Sequence, residues 1–456
     1  MLPGTITVAT DESSLQRHKR DFTLPRPDEH LPLAVIYPRS TQEISEVLRA
    51  ASQAGVAIVP QGGLTGMAGG ALPSAGSIAL SLEKMCGIVE LDTYSNTVTV
   101  LAGTRLQVVQ EAALAADRFL AVDFGSRGTC TIGGAIANNA GGNRVLRFGM
   151  MREQVLGLEV VLADGTVVSG LNKMIKNNTG YDLRNIFIGS EGTLGVVACA
   201  VLRLFPAPRS SNTMLCAVSG IDCVHQLLAL ARSSLGAQLS AFEVMWRDFY
   251  DVTHMAGGRS PLAPDSGTHF VLLEALGSNQ EADEQVFASF AADALEMGLI
   301  NDAAIAQSLS DAQGFWRIRD SSGDLTQLWG RGPVVNFDVS VPVARVEEFV
   351  GLCREALSRE LSREAVFFGH IADSNMHLAV PDPSGTMREE ICKVVYSIVR
   401  SLCGSVSAEH GIGLDKRNYL AFSRSAEEID LMRRFKQMLD PRNILNPGKV
   451  LPPTSA

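Results

Sequence analysis

The sequence lacks several features that define whole classes of protein. Its 8 cysteines include no Cys-x-x-Cys pair, and such scatter favours buried thiols in a reducing compartment over a disulfide framework. No apolar run approaches the roughly 18 residues that a membrane-spanning helix needs. The start of the chain shows no basic segment followed by an apolar one, so no secretory signal is visible. We therefore expect a cytoplasmic protein with no membrane span.

An excess of positive charge is also missing. The 39 Lys and Arg residues are outnumbered by 49 Asp and Glu, giving a net charge of -10, which argues against a nucleic-acid partner that needs a general basic surface. The 42 glycines cluster instead of recurring every third residue, which excludes a fibrous protein. With 46% hydrophobic residues over 456 positions, the chain is globular and long enough for two or three compact units.

Hydrophobic patterning predicts an α+β protein. A strand at 34–37, a helix with Thr41 as its N-cap and a strand at 56–59 ending at Pro60 form a βαβ-type unit. Beyond the Pro-Ala-Pro of 206–208, strands alternate with helix-like runs at 221–235, 279–297, 300–311 and 346–361, which indicates an antiparallel sheet covered by helices. An amphipathic helix at 425–438 follows. We predict a lead-in at 1–32, domains at 33–209 and 210–410, and a C-terminal segment at 411–456.

Three glycine-rich loops lie within the first predicted domain, at 60–70, 125–142 and 189–195. Clustered glycines let successive backbone N–H groups converge on an anion such as a diphosphate. No loop has the Gly-x-Gly-x-x-Gly or P-loop pattern, which disfavours a nucleoside triphosphate. For each loop taken alone, a glycine-rich turn that binds no ligand is the alternative. The long run of small residues at 125–142 leaves room for a large flat group, so the three loops together favour a dinucleotide cradle.

Three of the 8 histidines lie late in the chain, at His370, His377 and His410. The turn-prone segment 372–375 can fold the chain back so that the first two imidazoles meet. Two histidines and one carboxylate, here Glu409, with an open fourth position match a catalytic divalent-metal site. His410 would then stay free as a base. A hydrogen-bonded core histidine is the alternative for each of them.

Seven motifs together resemble the FAD-linked D-2-hydroxyacid dehydrogenases, which include D-lactate and D-2-hydroxyglutarate dehydrogenases and the flavin subunit of glycolate oxidase. The motifs lie at 60–70, 125–149, 176–183, 189–197, 369–378, 407–413 and 443–451. The resemblance covers nearly the whole chain from about residue 30. It implies the vanillyl-alcohol-oxidase-like fold: a two-subdomain FAD-binding domain, an α+β substrate (cap) domain with an antiparallel sheet, and a C-terminal helical segment that returns to the FAD domain.

The resemblance also implies the residues of a cofactor site. The first loop would cradle the FAD diphosphate, the second would line the flavin and its ribityl chain, Glu191 and Val196 would lie near the adenine, and Asn446 would return to the flavin ring. No His or Cys occupies 60–67, so FAD would be noncovalent. The implied cofactor-binding residues are Pro60, Gly62, Gly63, Leu64, Thr65, Gly66, Met67, Gly128, Thr131, Gly134, Asn138, Ala140, Gly141, Glu191, Val196 and Asn446.

The reaction implied is oxidation of a D-2-hydroxy acid to a 2-oxo acid, with hydride transfer to flavin N5. His370, His377 and Glu409 match the family's ligands for a divalent metal, usually zinc, and His410 matches its proposed base. Arg319 matches an arginine that binds the substrate carboxylate, for which its planar fork is suited. A surface arginine is the alternative.

Three positions depart from relatives of the 2-hydroxyglutarate type. Gly323 stands where they carry a threonine, Asn336 where they carry a lysine, and Ala379 where they carry an asparagine. The first two groups help to hold a distal carboxylate, so the resemblance does not imply a strict preference for dicarboxylates. Asn336 stays a candidate substrate residue.

No nicotinamide fingerprint or cysteine cluster is visible, so we expect an external electron acceptor: an electron-transfer flavoprotein, a quinone or a cytochrome. Oligomeric state stays open, with a homodimer as one option. Three rival readings remain: a noncatalytic FAD-binding subunit of a glycolate-oxidase-like complex, an ether-lipid synthase of the same superfamily, and a metalloprotein without flavin.

Overall fold

The computed structural model describes residues 6–23, 30–256, 261–263 and 265–453. Of the predicted lead-in at 1–32, the stretches 1–5 and 24–29 lie outside the described residues. The chain divides into two compact units. Unit 1 comprises Met1–Gly142, Gly149–Ala207 and Glu409–Ala456, and unit 2 comprises Asn143–Phe148 and Pro208–Ala408. Both units combine helices with sheets, so the predicted α+β class is confirmed.

The strands alternate with helices along much of the chain. They are β1 (Thr7–Ala9), β2 (Val35–Tyr37), β3 (Ile58–Gln61), β4 (Ile78–Ser81), β5 (Ile88–Asp92), β6 (Thr97–Leu101), β7 (Arg118–Phe119), β8 (Val155–Val161), β9 (Val167–Gly170), β10 (Val196–Arg203), β11 (Phe205–Pro206), β12 (Ser210–Val218), β13 (Leu239–Trp246), β14 (His269–Gly277), β15 (Asp302–Ile305), β16 (Val334–Ser340), β17 (Val366–His370) and β18 (Asn375–Pro381).

The helices range from single turns to four or five turns. They are α1 (Glu12–Arg17), α2 (Thr41–Ala54), α3 (Leu106–Ala115), α4 (Ile132–Asn138), α5 (Val145–Phe148), α6 (Met151–Gln154), α7 (Arg184–Phe187), α8 (Ile221–Leu235), α9 (Arg247–Thr253), α10 (Gln280–Glu296), α11 (Leu309–Asp320), α12 (Leu325–Trp329), α13 (Val346–Leu361), α14 (Arg388–Ser401) and α15 (Ala426–Leu439).

Unit 1 contains a four-stranded sheet in the order β1-β2-β4-β3 and a five-stranded sheet in the order β5-β6-β10-β8-β9. Strands β2, β4 and β3 run parallel, as the predicted βαβ unit requires. Residues alternating along β6 and β10, such as Val98, Val100, Ala198 and Ala200, are fully buried in the core of this unit.

Two details at the start of unit 1 differ from the sequence prediction. Ser40, not Thr41, is the N-cap of α2, because its extended backbone lets its hydroxyl accept a hydrogen bond from Glu43 N at 3.2 Å. Strand β3 also continues past Pro60 to Gln61. It is the terminal strand of its sheet, where the missing N–H of a proline is tolerated.

Unit 2 is built on a seven-stranded sheet in the order β15-β12-β14-β13-β17-β18-β16, with antiparallel neighbours throughout. The helix-like prediction for 300–311 is wrong. Instead, β15 pairs with β12 at the edge of the sheet, and Ser308 then caps α11 by accepting from Asp311 N. Helix α13, predicted at 346–361, has those bounds.

Candidate functional site

The first two glycine loops of unit 1 pass directly against each other. A Cβ on Gly62 would overlap Thr131 Oγ1, and a Cβ on Gly63 would overlap the carbonyl of Thr129. Thr131 is buried and caps α4 by accepting from Gly134 N at 3.4 Å. The absence of side chains therefore lets the backbones of both loops come together, as a cradle built from amide groups requires.

The other implied cofactor residues differ in their exposure. Leu64, with φ 57°, Thr65 and Gly66 are half-buried in the first loop, and Met67 is exposed. Gly128, Asn138 and Ala140 are half-buried and Gly141 is buried. Pro60 lies within β3. Val196 opens β10, and its side chain belongs to the hydrophobic core of unit 1, which leaves its backbone as the part suited to a cofactor contact.

Glu191 and Asn446 lie in contact, since Asn446 Nδ2 donates to Glu191 O at 2.8 Å. The two residues therefore lie at one point of unit 1, and the part of FAD that each would face stays a prediction. The Glu191 carboxylate accepts from Ile412 N at 2.7 Å and from Gly413 N at 2.8 Å. Burial raises the pKa of Glu191, although these amides oppose the shift.

Asn446 supplies the test of whether this region fits a bound cofactor. Its side chain is 1% exposed, and its Nδ2 donates to the carbonyls of Gly70 and Glu191. Its Oδ1 has no hydrogen-bond partner among the described residues. A buried acceptor left unpaired costs stability. An N–H or O–H group of FAD at this point would satisfy it, so the residues fit the cofactor.

The N-terminal segment braces the first loop, a role that the sequence did not reveal. His18 Nδ1 lies 2.6 Å from Gln61 Oε1, at the end of β3. Asp21 Oδ2 accepts from Ala71 N at 3.3 Å, and Phe22 N donates to Gly66 O at 3.0 Å. Burial lowers the pKa of His18 and raises that of Asp21. The consecutive polar residues of 18–21 carry no pattern that predicts contact with a loop distant in the sequence.

In unit 2 the structure brings His370 and His377 together. Strand β17 ends at His370, a tight turn follows with Ser374 at φ 73°, and β18 carries His377. The ring centroids are 5.5 Å apart, and one nitrogen of each ring lies within 4.8 Å of the other. Phe368 stacks on His377 at 4.9 Å. Two imidazoles at this separation can share one metal ion.

A buried ion network surrounds the first of these histidines. Glu243 Oε1 lies 2.5 Å from His370 Nδ1, and Glu243 Oε2 accepts from Arg319 Nε at 2.8 Å. Arg319 Nη2 lies 2.7 Å from His370 Nε2. Burial alone would raise the pKa of Glu243, but its interactions with His370 and Arg319, including a hydrogen bond from each, lower it. Arg319 is 7% exposed, so it is not a surface arginine.

Sequence reasoning missed three polar residues of this sheet: Glu243, Asp338 and Asn375. Asn375 is directly opposite His370 in the ladder, which puts both side chains on one face, and neither polar atom of its side chain has a partner among the described residues. Asp338 is fully buried and accepts from Ala408 N at 3.2 Å. A charged residue within an apolar strand was the available signal for Glu243.

Glu409 and His410 open the last segment of unit 1, directly after Ala408. Gly142 N donates to Glu409 Oε1 at 2.9 Å, and a carboxylate oxygen of Glu409 lies within 4.8 Å of a ring nitrogen of His410.

Asn336 lies exposed in β16, opposite Ala379. Among the described residues, no helix combines the length and the apolar character needed to cross a membrane.

Two family models match the chain. One, described as "FAD binding domain", matches residues 32–170, and the other, described as "FAD linked oxidases, C-terminal domain", matches residues 207–450. The chain belongs to the FAD-linked oxidases. It is thus a member of a family of flavin-dependent oxidoreductases.

Curated relatives agree with this family over most of the chain. A protein of Xanthomonas citri pv. viticola named D-2-hydroxyglutarate dehydrogenase is 38% identical, over 98% of this chain and 94% of its own. One of Bos taurus, named D-2-hydroxyglutarate dehydrogenase, mitochondrial, is 37% identical, over 92% of this chain and 76% of its own.

Solved structures support the fold. A p-cresol methylhydroxylase with bound substrate superposes with a TM-score of 0.80 at 17% identity, covering 98% of this chain and 95% of that one. An alkyldihydroxyacetonephosphate synthase gives a TM-score of 0.74 at 16% identity, covering 98% and 82%. At these identities the likeness concerns the fold, and the predicted vanillyl-alcohol-oxidase-type architecture is confirmed.

Proposed function

We propose that this FAD-linked oxidase is a dehydrogenase that oxidises a D-2-hydroxy acid to the 2-oxo acid. The observation that carries the proposal is the buried cluster of unit 2, where two histidines that can share a metal lie on the sheet and Arg319 of α11 contacts one of them. A carboxylate and an adjacent hydroxyl are the groups such a cluster recognises. The relatives named D-2-hydroxyglutarate dehydrogenase support this substrate class.

The cofactor is FAD, bound without a covalent link and held by the glycine loops of unit 1 together with Asn446. When bound, FAD supplies the acceptor for the C2 hydride, chemistry that no side chain offers. The backbone amides of the first loop, beside Gly62 and Gly63, would hold the diphosphate, and Thr131 of the second loop would line the flavin and its ribityl chain. The unpaired Oδ1 of Asn446 would receive a hydrogen bond from the cofactor.

His370, His377 and Glu409 would hold a divalent metal, with zinc as the expected ion. When bound, such an ion lowers the pKa of a coordinated hydroxyl group. Glu243 accepts a hydrogen bond from one nitrogen of His370, the arrangement that metal-ligating histidines usually have, so the donor set fits a metal.

Three side chains would bind the substrate and accept the proton of its hydroxyl group. Arg319 would bind the substrate carboxylate through its planar fork and so fix which face of C2 is presented. His410 would accept the proton of the C2 hydroxyl, since imidazole titrates nearest to neutral pH. Asn336, at an exposed position, would contact the far end of the substrate.

Gly323 and Asn336 bear on which substrate side chains the protein would accept. Neither residue offers the charge that would pair with a second carboxylate. We therefore propose that D-lactate and similar monocarboxylates are accepted together with D-2-hydroxyglutarate.

An external acceptor, namely an electron-transfer flavoprotein, a quinone or a cytochrome, would reoxidise the flavin. We also propose a cytoplasmic location, supported by the 8 cysteines, none of which is in a disulfide bond.

A screen of the purified flavoprotein under anaerobic conditions tests the proposal. D-lactate, D-malate and D-2-hydroxyglutarate, each beside its L-enantiomer, would be added and the flavin absorbance followed. We expect at least one D-acid to bleach the flavin and its L-enantiomer to leave it oxidised. Absence of bleaching by every acid would favour the noncatalytic subunit, and a colourless protein would favour the metalloprotein without flavin.

A further inference from the structure

One buried carboxylate in unit 2 contacts both the proposed metal ligand and the proposed substrate arginine. The side chain of Glu243 is 1% exposed, and both of its oxygens are engaged: Oε1 with His370 Nδ1 and Oε2 with Arg319 Nε. We propose that Glu243 is a positioning residue that orients His370 toward the metal and Arg319 toward the substrate carboxylate. This inference rests on the proposed function.

The contacts of His370 assign its tautomer. A carboxylate can only accept, so the hydrogen bond between Glu243 and Nδ1 puts the imidazole proton on Nδ1. Arginine can only donate, so its approach to Nε2 at 2.7 Å requires a lone pair on that nitrogen. Both contacts require one neutral tautomer, in which Nε2 keeps a lone pair that can bind a metal ion once Arg319 Nη2 moves away from it.

Charge gives Glu243 a second role. A divalent cation on His370 and the guanidinium of Arg319 would repel each other within a buried region, where screening by water is weak. The carboxylate of Glu243 lies against both groups and offsets this repulsion. Its loss would leave the buried Arg319 beside the cation with only the more exposed carboxylate of Asp320, 3.6 Å away, as a counter-charge, which is an unfavourable arrangement.

The position of Glu243 in the sheet makes this orientation rigid. Strand β13 is an inner strand, paired with β14 on one side and β17 on the other. Val244 pairs with Gly369, so Glu243 and His370 reach each other from adjacent strands. Sites on inner strands hold their geometry better than sites on loops.

The neighbouring strand offers a matched control. Glu274 of β14 is also buried and pairs with Arg144, with Oε1 accepting from Nε at 2.8 Å and Oε2 from Nη2 at 3.3 Å. It faces Ala241 of β13 in the ladder. This pair has the same chemistry, with a buried carboxylate and a half-buried arginine, and neither member is placed in the proposed metal or substrate site.

Metal affinity of the FAD-loaded protein tests the inference without measuring turnover. The wild type, Glu243→Gln, Glu243→Asp and Glu274→Gln would be stripped with a chelator and titrated with Zn²⁺ or Mn²⁺ against a chromophoric chelator. We expect Glu243→Gln to weaken binding by about 10- to 100-fold. Glu243→Asp, which keeps the charge but is shorter, should weaken it less, and Glu274→Gln should bind as the wild type does.

Circular dichroism and the flavin content would establish that each variant is folded. Wild-type affinity in folded Glu243→Gln, or equal weakening in Glu274→Gln, would overturn the inference and leave the proposed function intact. A stripped wild type that takes up neither metal would overturn the proposed metal centre and the inference with it. If Glu243→Gln yields no folded protein, Glu243→Asp decides, with weakened binding supporting the inference and unchanged binding overturning it.

Discussion

Unit 1 and unit 2 build their candidate sites from opposite materials. In unit 1, the site requires positions without a side chain, because Gly62 and Gly63 let two loop backbones come into contact. In unit 2, Glu243 and His370 of the sheet and Arg319 of α11 are charged or polar side chains that are buried together. A backbone cradle tolerates no added bulk, whereas a buried ion network tolerates no lost charge. The two sites should therefore fail in different ways.

The largest effect is expected where a methyl group enters the cradle. Gly63→Ala would put a Cβ into the Thr129 carbonyl, so the loops must separate and FAD should be lost. The ratio of flavin to protein after purification measures this, and metal uptake by the protein should persist.

Gly125→Ala is the matched control, since a Cβ at Gly125 has no atom within 4 Å. That variant should keep its flavin. Full flavin occupancy in Gly63→Ala would contradict the view that contact between the loops builds the cradle.

His410→Ala should slow reduction of the flavin by substrate and leave FAD bound. Removal of a general base typically costs 10²- to 10⁴-fold in rate. Stopped-flow reduction of the flavin by a D-2-hydroxy acid would measure the loss, with flavin content as the control. A reduction rate near that of the wild type would remove His410 from the proposed role.

Arg319→Lys keeps the buried charge of unit 2 but loses the planar fork. A charge-assisted hydrogen bond contributes about 1.5–3 kcal/mol, so kcat/KM for the hydroxy acid should fall roughly 10- to 100-fold, mainly through KM. Arg317→Lys, at an exposed position two residues earlier on α11, is the control. Equal kinetics in the two variants would be inconsistent with carboxylate binding by Arg319.

Preference for D-2-hydroxyglutarate over D-lactate is expected to increase when the threonine and lysine of the relatives are introduced at positions 323 and 336. A Cβ on Gly323 meets open space, and Asn336 is exposed, so Gly323→Thr with Asn336→Lys should fit without repacking. The ratio of kcat/KM for D-2-hydroxyglutarate to that for D-lactate should rise roughly tenfold or more, because a lysine adds a charge-assisted bond. Gly323→Thr with Asn336→Gln, which adds length without charge, should leave the ratio nearly unchanged. An unchanged ratio with Lys would show that these positions do not contact the substrate.

The smallest effect concerns the brace of the first loop. Because burial raises the pKa of Asp21 above its unfolded value of 3.8, the folded state holds this proton more tightly. The stability that Asp21 contributes is therefore fully present below pH 3.8 and is lost as the pH rises through the raised pKa. Asp21→Asn should gain stability relative to the wild type between acid and neutral pH, as measured by urea unfolding.

Asp164→Asn, an exposed aspartate in the turn after β8, is the control for Asp21→Asn. A stability difference between wild type and Asp21→Asn that does not change with pH would contradict the assigned cause.

Local patterns predicted the parts of the fold that depend on local rules. The bounds of α13 and the βαβ start of unit 1 follow from apolar spacing and were confirmed. The prediction failed at 300–311, where pairing with β12 made a strand of residues that read as helical. A partner that is distant in the sequence decided that segment.

The candidate sites show the same division. The turn that brings His370 to His377 was predicted from the turn-prone residues Asp373, Ser374 and Asn375. The contact of Glu243 with both His370 and Arg319 joins three elements, and no spacing in the sequence encodes it. The contact between Glu191 and Asn446 likewise appeared only in three dimensions.

The central claim is that oxidation of a D-2-hydroxy acid by this protein depends on both FAD and a divalent metal. Anaerobic flavin reduction by the best D-acid, followed before chelation, after chelation and after Zn²⁺ or Mn²⁺ is restored, tests it most directly. The account predicts fast bleaching, then its loss with FAD still bound, then its recovery. Bleaching at an unchanged rate in the chelated, metal-depleted protein would contradict it.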